Sequence, residues 1–227
     1  GVERRRDDDR AEDLLAGDAG VGRSVDDDRG LHAPALAEAA GDEPAAGEVA
    51  VAVEACGVNY ADGIVRMGLY ASARELHGYP ITPGFELAGR VAAVGSAVEG
   101  WQVGDPVLAA TLFGAYASRI CLPAERLFAR PPNLDAAQAA AIPTVFLTAW
   151  FMVEQQVRPR AGDTWLVHSA AGGVGGALAQ LGRLAGVRVV GVVRGAHKVA
   201  AAREAGCSEV IDKGAEDLWP RARALAA

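Results

Sequence analysis

Residues 163–193 run as a short apolar strand, a glycine-rich turn, a helix and a second apolar strand in direct succession. D-T-W-L-V-H supplies the first strand, S-A-A-G-G-V-G-G the turn, A-L-A-Q-L-G-R-L-A-G the helix and V-R-V-V-G-V-V the return strand. Leu178, Leu181 and Ala185 fall at helical spacing, and Gly186 stops the helix. Aligned on the G-x-G-x-x-G fingerprint, the positions are Ala170, Gly172 and Gly175, so the first glycine is replaced by the smallest residue that has a side chain. A diphosphate can lie on a helix N-terminus only where no side chain fills the gap and backbone N–H groups point at it. Gly172, Gly173 and Val174 supply that surface, with Ala171 beside them, while Gly175 and Gly176 let the helix pack close to its strand. Glycine-rich turns without a phosphate also occur; the strand on each side is what favours dinucleotide binding here.

The end of the second strand bears on the choice of cofactor. A chain that binds NAD usually presents Asp or Glu to the ribose hydroxyls about 20 residues past the glycines. Here that position is Val193, followed by Arg194, His197 and Lys198. The missing acid and the cationic neighbourhood suit a 2′-phosphate, so the expected cofactor is NADPH, bound in part by Arg194 and Lys198. The alternative is a solvated loop that carries basic residues.

Upstream lie G-V-N-Y-A-D-G-I-V-R-M-G-L-Y (57–70), I-T-P-G-F-E-L-A-G-R-V-A-A-V-G (81–95) and W-Q-V-G-D-P-V (101–107). With P-T-V-F-L-T-A-W (143–150) and V-H-S-A-A-G-G-V-G-G (167–176), these segments resemble the medium-chain dehydrogenase/reductase superfamily. The likeness is greatest to its zinc-independent quinone oxidoreductase group, in particular the vesicle amine transport protein-like branch. It covers residues 47–227. The resemblance implies an α/β chain with a GroES-like β-barrel catalytic domain over 47–141. A Rossmann-type βαβ NADP-binding domain follows over 142–227, with substrate and nicotinamide meeting between the two. Strands are legible at 163–168, 188–193 and 209–212 where a complete dinucleotide domain has six, so the second domain reads as truncated. The intact parent is expected to be a homodimer.

Zinc-dependent members of that superfamily hold their metal with a Cys in the segment matching G-V-N-Y-A-D and a His in the segment matching P-G-F-E. This chain has Asn59 and Phe85 there, and Thr144 near where a third sulfur ligand would come. Its four His and three Cys form none of the close spacings of a zinc site. The chain therefore reads as metal-free.

Without a Lewis acid, hydride must go to an acceptor that is already electrophilic. Quinones and α,β-unsaturated carbonyls qualify, because the added charge delocalises onto an oxygen that hydrogen-bond donors can stabilise. The resemblance places Asn59 beside nicotinamide and acceptor as a donor to that oxygen. Taken alone, an Asn after Gly-Val is a turn or helix cap. Tyr70 could donate a phenolic proton or stack on a planar ring, or simply lie half-buried. Asp62 orients the cleft in one reading; in the other it pairs with Arg66, four residues on along a short helix. Tyr60, Phe85, Phe146 and Trp150 gather near the cleft in the expected fold and would suit a flat apolar acceptor, core packing being the alternative. Thr148 fits the family's position for the nicotinamide region, or bonds back to its own helix.

A chain with 51% hydrophobic and 22% charged residues fits a soluble globular protein. No apolar run reaches the roughly 18 residues of a membrane span, no secretory start is present, and the cysteines are widely spaced. A cytoplasmic protein is expected. A net charge of −7 argues against nucleic acid as partner. Residues 1–46 depart from the family, which starts with two apolar strands: sixteen of the first 29 residues are charged, ten acidic and six basic. Such a segment cannot bury enough apolar surface to order itself, and a shifted reading frame or wrong start would also account for it. Two further readings stay open: an NADPH-binding regulator or peripheral membrane partner without turnover, and an inactive fragment of a reductase.

Overall fold

The computed structural model describes residues 43–226, so the charged segment expected at 1–46 lies outside it except for its last four residues. The first unit is a curved antiparallel sheet built from β1 (Glu48–Cys56), β2 (Glu86–Val94), β3 (Pro106–Ala110), β4 (Arg119–Pro123) and β5 (Leu127–Ala129), in the spatial order β4-β1-β2-β3-β5. Alternation sends Val49 and Val51 inward from β1, where they meet Leu87, Val91, Val107, Leu122 and Leu127 in one core. Register shifts at Ala50/Val51 and Val53/Ala55 bend the β1–β2 pair, as bulges do, and help the sheet to curl. α1 (Tyr60–Arg66) lies between β1 and β2 in sequence.

The chain leaves the barrel through α2 (Ala136–Ala140) and α3 (Pro143–Phe151). Asp135 and Gln138 start α2 with a reciprocal capping box, at 2.8 and 3.1 Å. Ala139 and Ala140 then bury themselves against Ala88 and Leu108 of the sheet. α3 starts on Pro143, which suits the first helical position. It widens into a turn over Met152–Val157 that ends at Arg158, φ 51°. Here one expectation is corrected. The helical stretch Ala136–Val157, with mean hydropathy 1.5 and 22 residues, is long and apolar enough to cross a membrane by length and composition. Core helices of soluble proteins reach the same length and hydropathy, and α2 is packed on the barrel.

The second unit is a parallel sheet of β6 (Thr164–His168), β7 (Arg188–Val193) and β8 (Glu209–Asp212), with β7 in the middle. α4 (Gly173–Leu184) links β6 to β7, α5 (Val199–Glu204) links β7 to β8, and α6 (Leu218–Ala226) follows. β7 is a continuous apolar run because both of its faces are covered: Val189, Val190, Val192 and Val193 are all buried. This is a mixed α/β chain with one half of a dinucleotide-type sheet among the described residues, in the strand order such a half requires.

Candidate functional site

The glycine-rich turn owes its shape to backbone contacts. Ser169 adopts φ 53°, a left-handed conformation uncommon outside glycine. The helix then enters through Gly172, and its first intrahelical bond runs from Gly176 N–H to Gly172 O at 2.7 Å. The N–H groups of Gly173, Val174 and Gly175 precede that bond and have no acceptor within the helix. A Cβ on Gly175 would stand 2.2 Å from Ser169 O, so this glycine is a packing requirement and contacts no ligand through a side chain. The departure at Ala170 is absorbed from below: its Cβ points at Gly191 of β7, where any added Cβ would lie 2.8 Å away. Glycine on the neighbouring strand replaces glycine in the turn. A cavity of about 420 Å³ opens against this turn, lined by Met152, Leu166, His168, Gly173, Val174 and Leu178 among others. The residues present fit a dinucleotide diphosphate, since Gly172 and Gly173 bring no side chain to the turn and the N–H groups at the helix start have no acceptor within the helix.

At the end of β7, Val193 is buried and Arg194 exposed. Gly195 leads into the turn Ala196–Lys198, on which Lys198 is half-buried. An acid does approach from another strand. Asp212 of β8 pairs with Val193, and its Oδ1 accepts from the N–H groups of Gly195 and Gly214 at 2.8 and 2.9 Å. Those two bonds hold its carboxyl below the usual carboxylate range. Asp212 braces the basic turn with that oxygen.

The other half of the site gathers around two buried acids. Asp62, on the first turn of α1, is 3% exposed and accepts from the N–H of Asn59 at 2.7 Å, the N–H of Gly84 at 3.1 Å and the hydroxyl of Tyr116 at 3.0 Å. Burial raises its pKa above the usual carboxylate range in spite of these donors. Burial and the facing Asp62 in turn raise the phenol of Tyr116. The expected Asp62–Arg66 pair is thereby corrected: the carboxylate turns inward, away from exposed Arg66, because two loops supply it with donors. Asp62 is a brace for the loop that carries Asn59, and each of its oxygens accepts from the protein.

Asn59 is the N-cap residue of α1, in extended conformation: its backbone N–H donates to Asp62 Oδ2 at 2.7 Å and its backbone oxygen accepts from Asp62 N–H at 2.9 Å. Its Nδ2 donates to Oε1 of Glu86 at 2.7 Å, and Oε2 of the same carboxylate accepts from the N–H of Thr144 at 2.7 Å. Asn59 thus caps the helix through its backbone while its amide turns to a buried carboxylate. Glu86 is 2% exposed.

Tyr70, Phe85 and Phe113 form one aromatic cluster, with centroids 5.4 to 6.1 Å apart, and His77 meets the edge of Phe113 at 5.0 Å. Phe85 is buried in this cluster, so for it the core alternative is what the structure shows. Tyr70 is half-buried beside it. Tyr60 is 65% and Trp150 51% exposed, and Phe146 is half-buried. Thr148 donates through Oγ1 to Thr144 O at 2.7 Å, the back-bonded alternative. Among the described residues, no group of three or more His, Cys, Asp or Glu side chains is arranged to hold a metal ion. Glu86, Tyr116 and Asp212 are the site residues that sequence reasoning missed. An acid inside the apolar run P-G-F-E-L-A-G was a usable signal for Glu86; Tyr116 and Asp212 had none.

Comparison with known proteins agrees with this geometry. Residues 45–132 match the alcohol dehydrogenase GroES-like domain family. The synaptic vesicle membrane protein VAT-1 homolog-like of Mus musculus is 40% identical over 152 residues, 67% of this chain and 36% of that protein. A quinone oxidoreductase of Pseudomonas aeruginosa is 39% identical over 180 residues, 79% of this chain and 54% of the other. The crystal structure of Escherichia coli quinone oxidoreductase complexed with NADPH aligns with a TM-score of 0.75 at 32% identity, covering 84% of this chain and 57% of that one. A GroES-like barrel followed by a parallel dinucleotide-type sheet is the medium-chain dehydrogenase/reductase architecture. The chain belongs to that superfamily, in the group that holds quinone oxidoreductases and vesicle amine transport protein-like chains. It spans between about a third and a little over half of the length of these relatives.

Proposed function

We propose that the full-length protein is an NADPH-dependent, zinc-independent reductase of quinones or α,β-unsaturated carbonyls. The observation that carries this reading is the bare N-terminus of α4 beside a basic turn, with an amide donor held on a buried carboxylate in the barrel unit. When bound, NADPH supplies the hydride. The N–H groups of Gly173, Val174 and Gly175 hold the diphosphate, and Arg194 and Lys198 take the 2′-phosphate. As hydride reaches the acceptor carbon, charge develops on the conjugated oxygen; the second N–H of Asn59 Nδ2 donates to it, and solvent delivers the proton. Asn59 and Phe85 at the positions of metal ligands, and Thr144 with its backbone N–H given to Glu86, support a reaction that needs no metal. The proposed location is the cytoplasm and the proposed assembly a homodimer, to be read by fractionation and sedimentation.

Arg194→Ala is expected to weaken NADPH binding by about 1 to 3 kcal/mol, as for loss of a charge-assisted hydrogen bond, and to leave NADH nearly unchanged. Fluorescence titration reads both; equal affinity of the unmodified protein for the two cofactors would sink the NADPH assignment. Protein purified without added metal should hold well under one zinc per chain, and a chelator should leave quinone reduction unchanged. Stoichiometric zinc, with activity lost to chelator, would reopen metal-assisted chemistry. NADPH binding without oxidation across a panel of quinones and enones would instead point to a nucleotide-binding protein without turnover.

A further inference from the structure

Glu86 touches no reacting atom in the reaction just described, yet it holds the amide donor, and its surroundings are unusual. It sits on β2 with 2% of its surface exposed, and no cation among the described residues forms an ion pair with it. Both oxygens accept from nitrogen donors: Oε1 from Asn59 Nδ2 and Oε2 from Thr144 N–H, each at 2.7 Å. Thr144 is the second residue of α3, and Pro143 before it has no N–H, so its amide is the first donor that the helix end offers. The carboxylate thus caps α3 from another part of the chain, where negative charge is favoured. Room for it is reserved: a Cβ on Gly57 would lie 2.2 Å from Oε1. Asn59 lies in the turn before α1 and Thr144 in the helix that leads toward the nucleotide-binding unit, so one side chain ties the two together.

A carboxylate can only accept, whereas an amide donates at one end and accepts at the other. Acceptance at Oε1 therefore decides which end of the Asn59 side chain faces Glu86. With one N–H of Nδ2 held there, the carbonyl oxygen is the end turned away from Glu86, and the second N–H of Nδ2 is left over. We propose that Glu86 is a positioning residue which fixes the orientation of the Asn59 amide and ties it to the start of α3. This inference rests on the proposed reductase reading for its effect on rate, but not for its effect on the amide.

Glu86→Gln separates the two roles. The backbone N–H of Thr144 cannot turn, so it keeps the glutamine oxygen, and the glutamine NH₂ meets Asn59. The Asn59 amide then flips to present its oxygen, and its donor leaves the reacting position. In the full-length protein, kcat for quinone or enone reduction should fall roughly 100-fold, as for removal of one donor to a developing oxyanion, with KM for NADPH unchanged. Asn59→Ala should cause the same loss, and the double variant no further loss, because the residues act as one unit. A second readout needs no turnover: the Asn59 side-chain NH₂ pair in a ¹⁵N-resolved NMR spectrum, assigned by its disappearance in Asn59→Ala, should shift and lose exchange protection in Glu86→Gln. Losses in kcat that multiply in the double variant, or an NH₂ pair unmoved by Glu86→Gln, would overturn the proposal. If the unmodified protein binds NADPH but reduces nothing in the panel, the reductase reading fails by itself and the NH₂ pair alone decides the role of Glu86.

Discussion

Gly175→Ala is expected to destabilise the protein by about 2 to 3 kcal/mol and to reduce NADPH affinity on the order of 100-fold. The added Cβ would stand 2.2 Å from Ser169 O, 2.7 Å from its carbonyl carbon and 3.0 Å from Ala170 Cα, all of them backbone atoms that no rotamer change can move. Nor can the turn retreat. Ala170 is fully buried above Gly191 and Cys207, and Ser169 is already in the left-handed region. The helix must therefore slide away from β6, carrying the N–H groups of Gly173 and Val174 off the diphosphate. Urea unfolding read beside cofactor titration checks both halves of the prediction. An unchanged midpoint together with unchanged affinity would mean that the close approach of α4 to its strand is not what Gly175 provides.

The second large effect is expected at Asp62. Asp62→Ala leaves two backbone N–H groups and one phenol without their acceptor in a site that is 3% exposed, and a loss of about 3 to 5 kcal/mol follows from unsatisfied buried donors. Because the N–H of Asn59 is one of the three, kcat should fall as well, through a displaced amide. The pH dependence has a definite sign. Burial raises the pKa of Asp62 in the folded chain above its unfolded value, so the folded state binds this proton more readily. Its contribution relative to Asp62→Asn is therefore full below the unfolded value of about 3.9 and shrinks as pH rises through the folded one. Unfolding midpoints of the two proteins from about pH 3 to about pH 8 read this directly, and a gap that widens with rising pH would contradict the raised pKa.

What could be read from the chain without its fold was whatever is carried by neighbours in sequence. β6, the turn, α4 and β7 occupy a continuous stretch from Thr164 to Val193, and the requirements on Gly172 and Gly175 come from atoms within a few residues of them. Val193 and Arg194 are adjacent for the same reason. The likeness of the upstream segments to one superfamily supplied the barrel, which short strands of this kind would not have specified one by one.

The site around Asn59 was of the other kind. Spacing alone pairs Asp62 with Arg66, because residues four apart face each other on a helix. Asp62 instead bonds to Tyr116, 54 residues away, and to Gly84, 22 away, once the loops close over α1. Glu86 joins Asn59 across 27 residues and Thr144 across 58, and Asp212 reaches back 17 to brace the turn that holds Arg194. A buried acid is tolerated only where donors from several elements converge on it, and convergence is a property of the folded chain. The sequence by itself therefore determined where a dinucleotide can lie and which family built the frame. Only the tertiary structure decided which acids became braces, that Phe85 is core and Trp150 is exposed, and which way the amide of Asn59 turns.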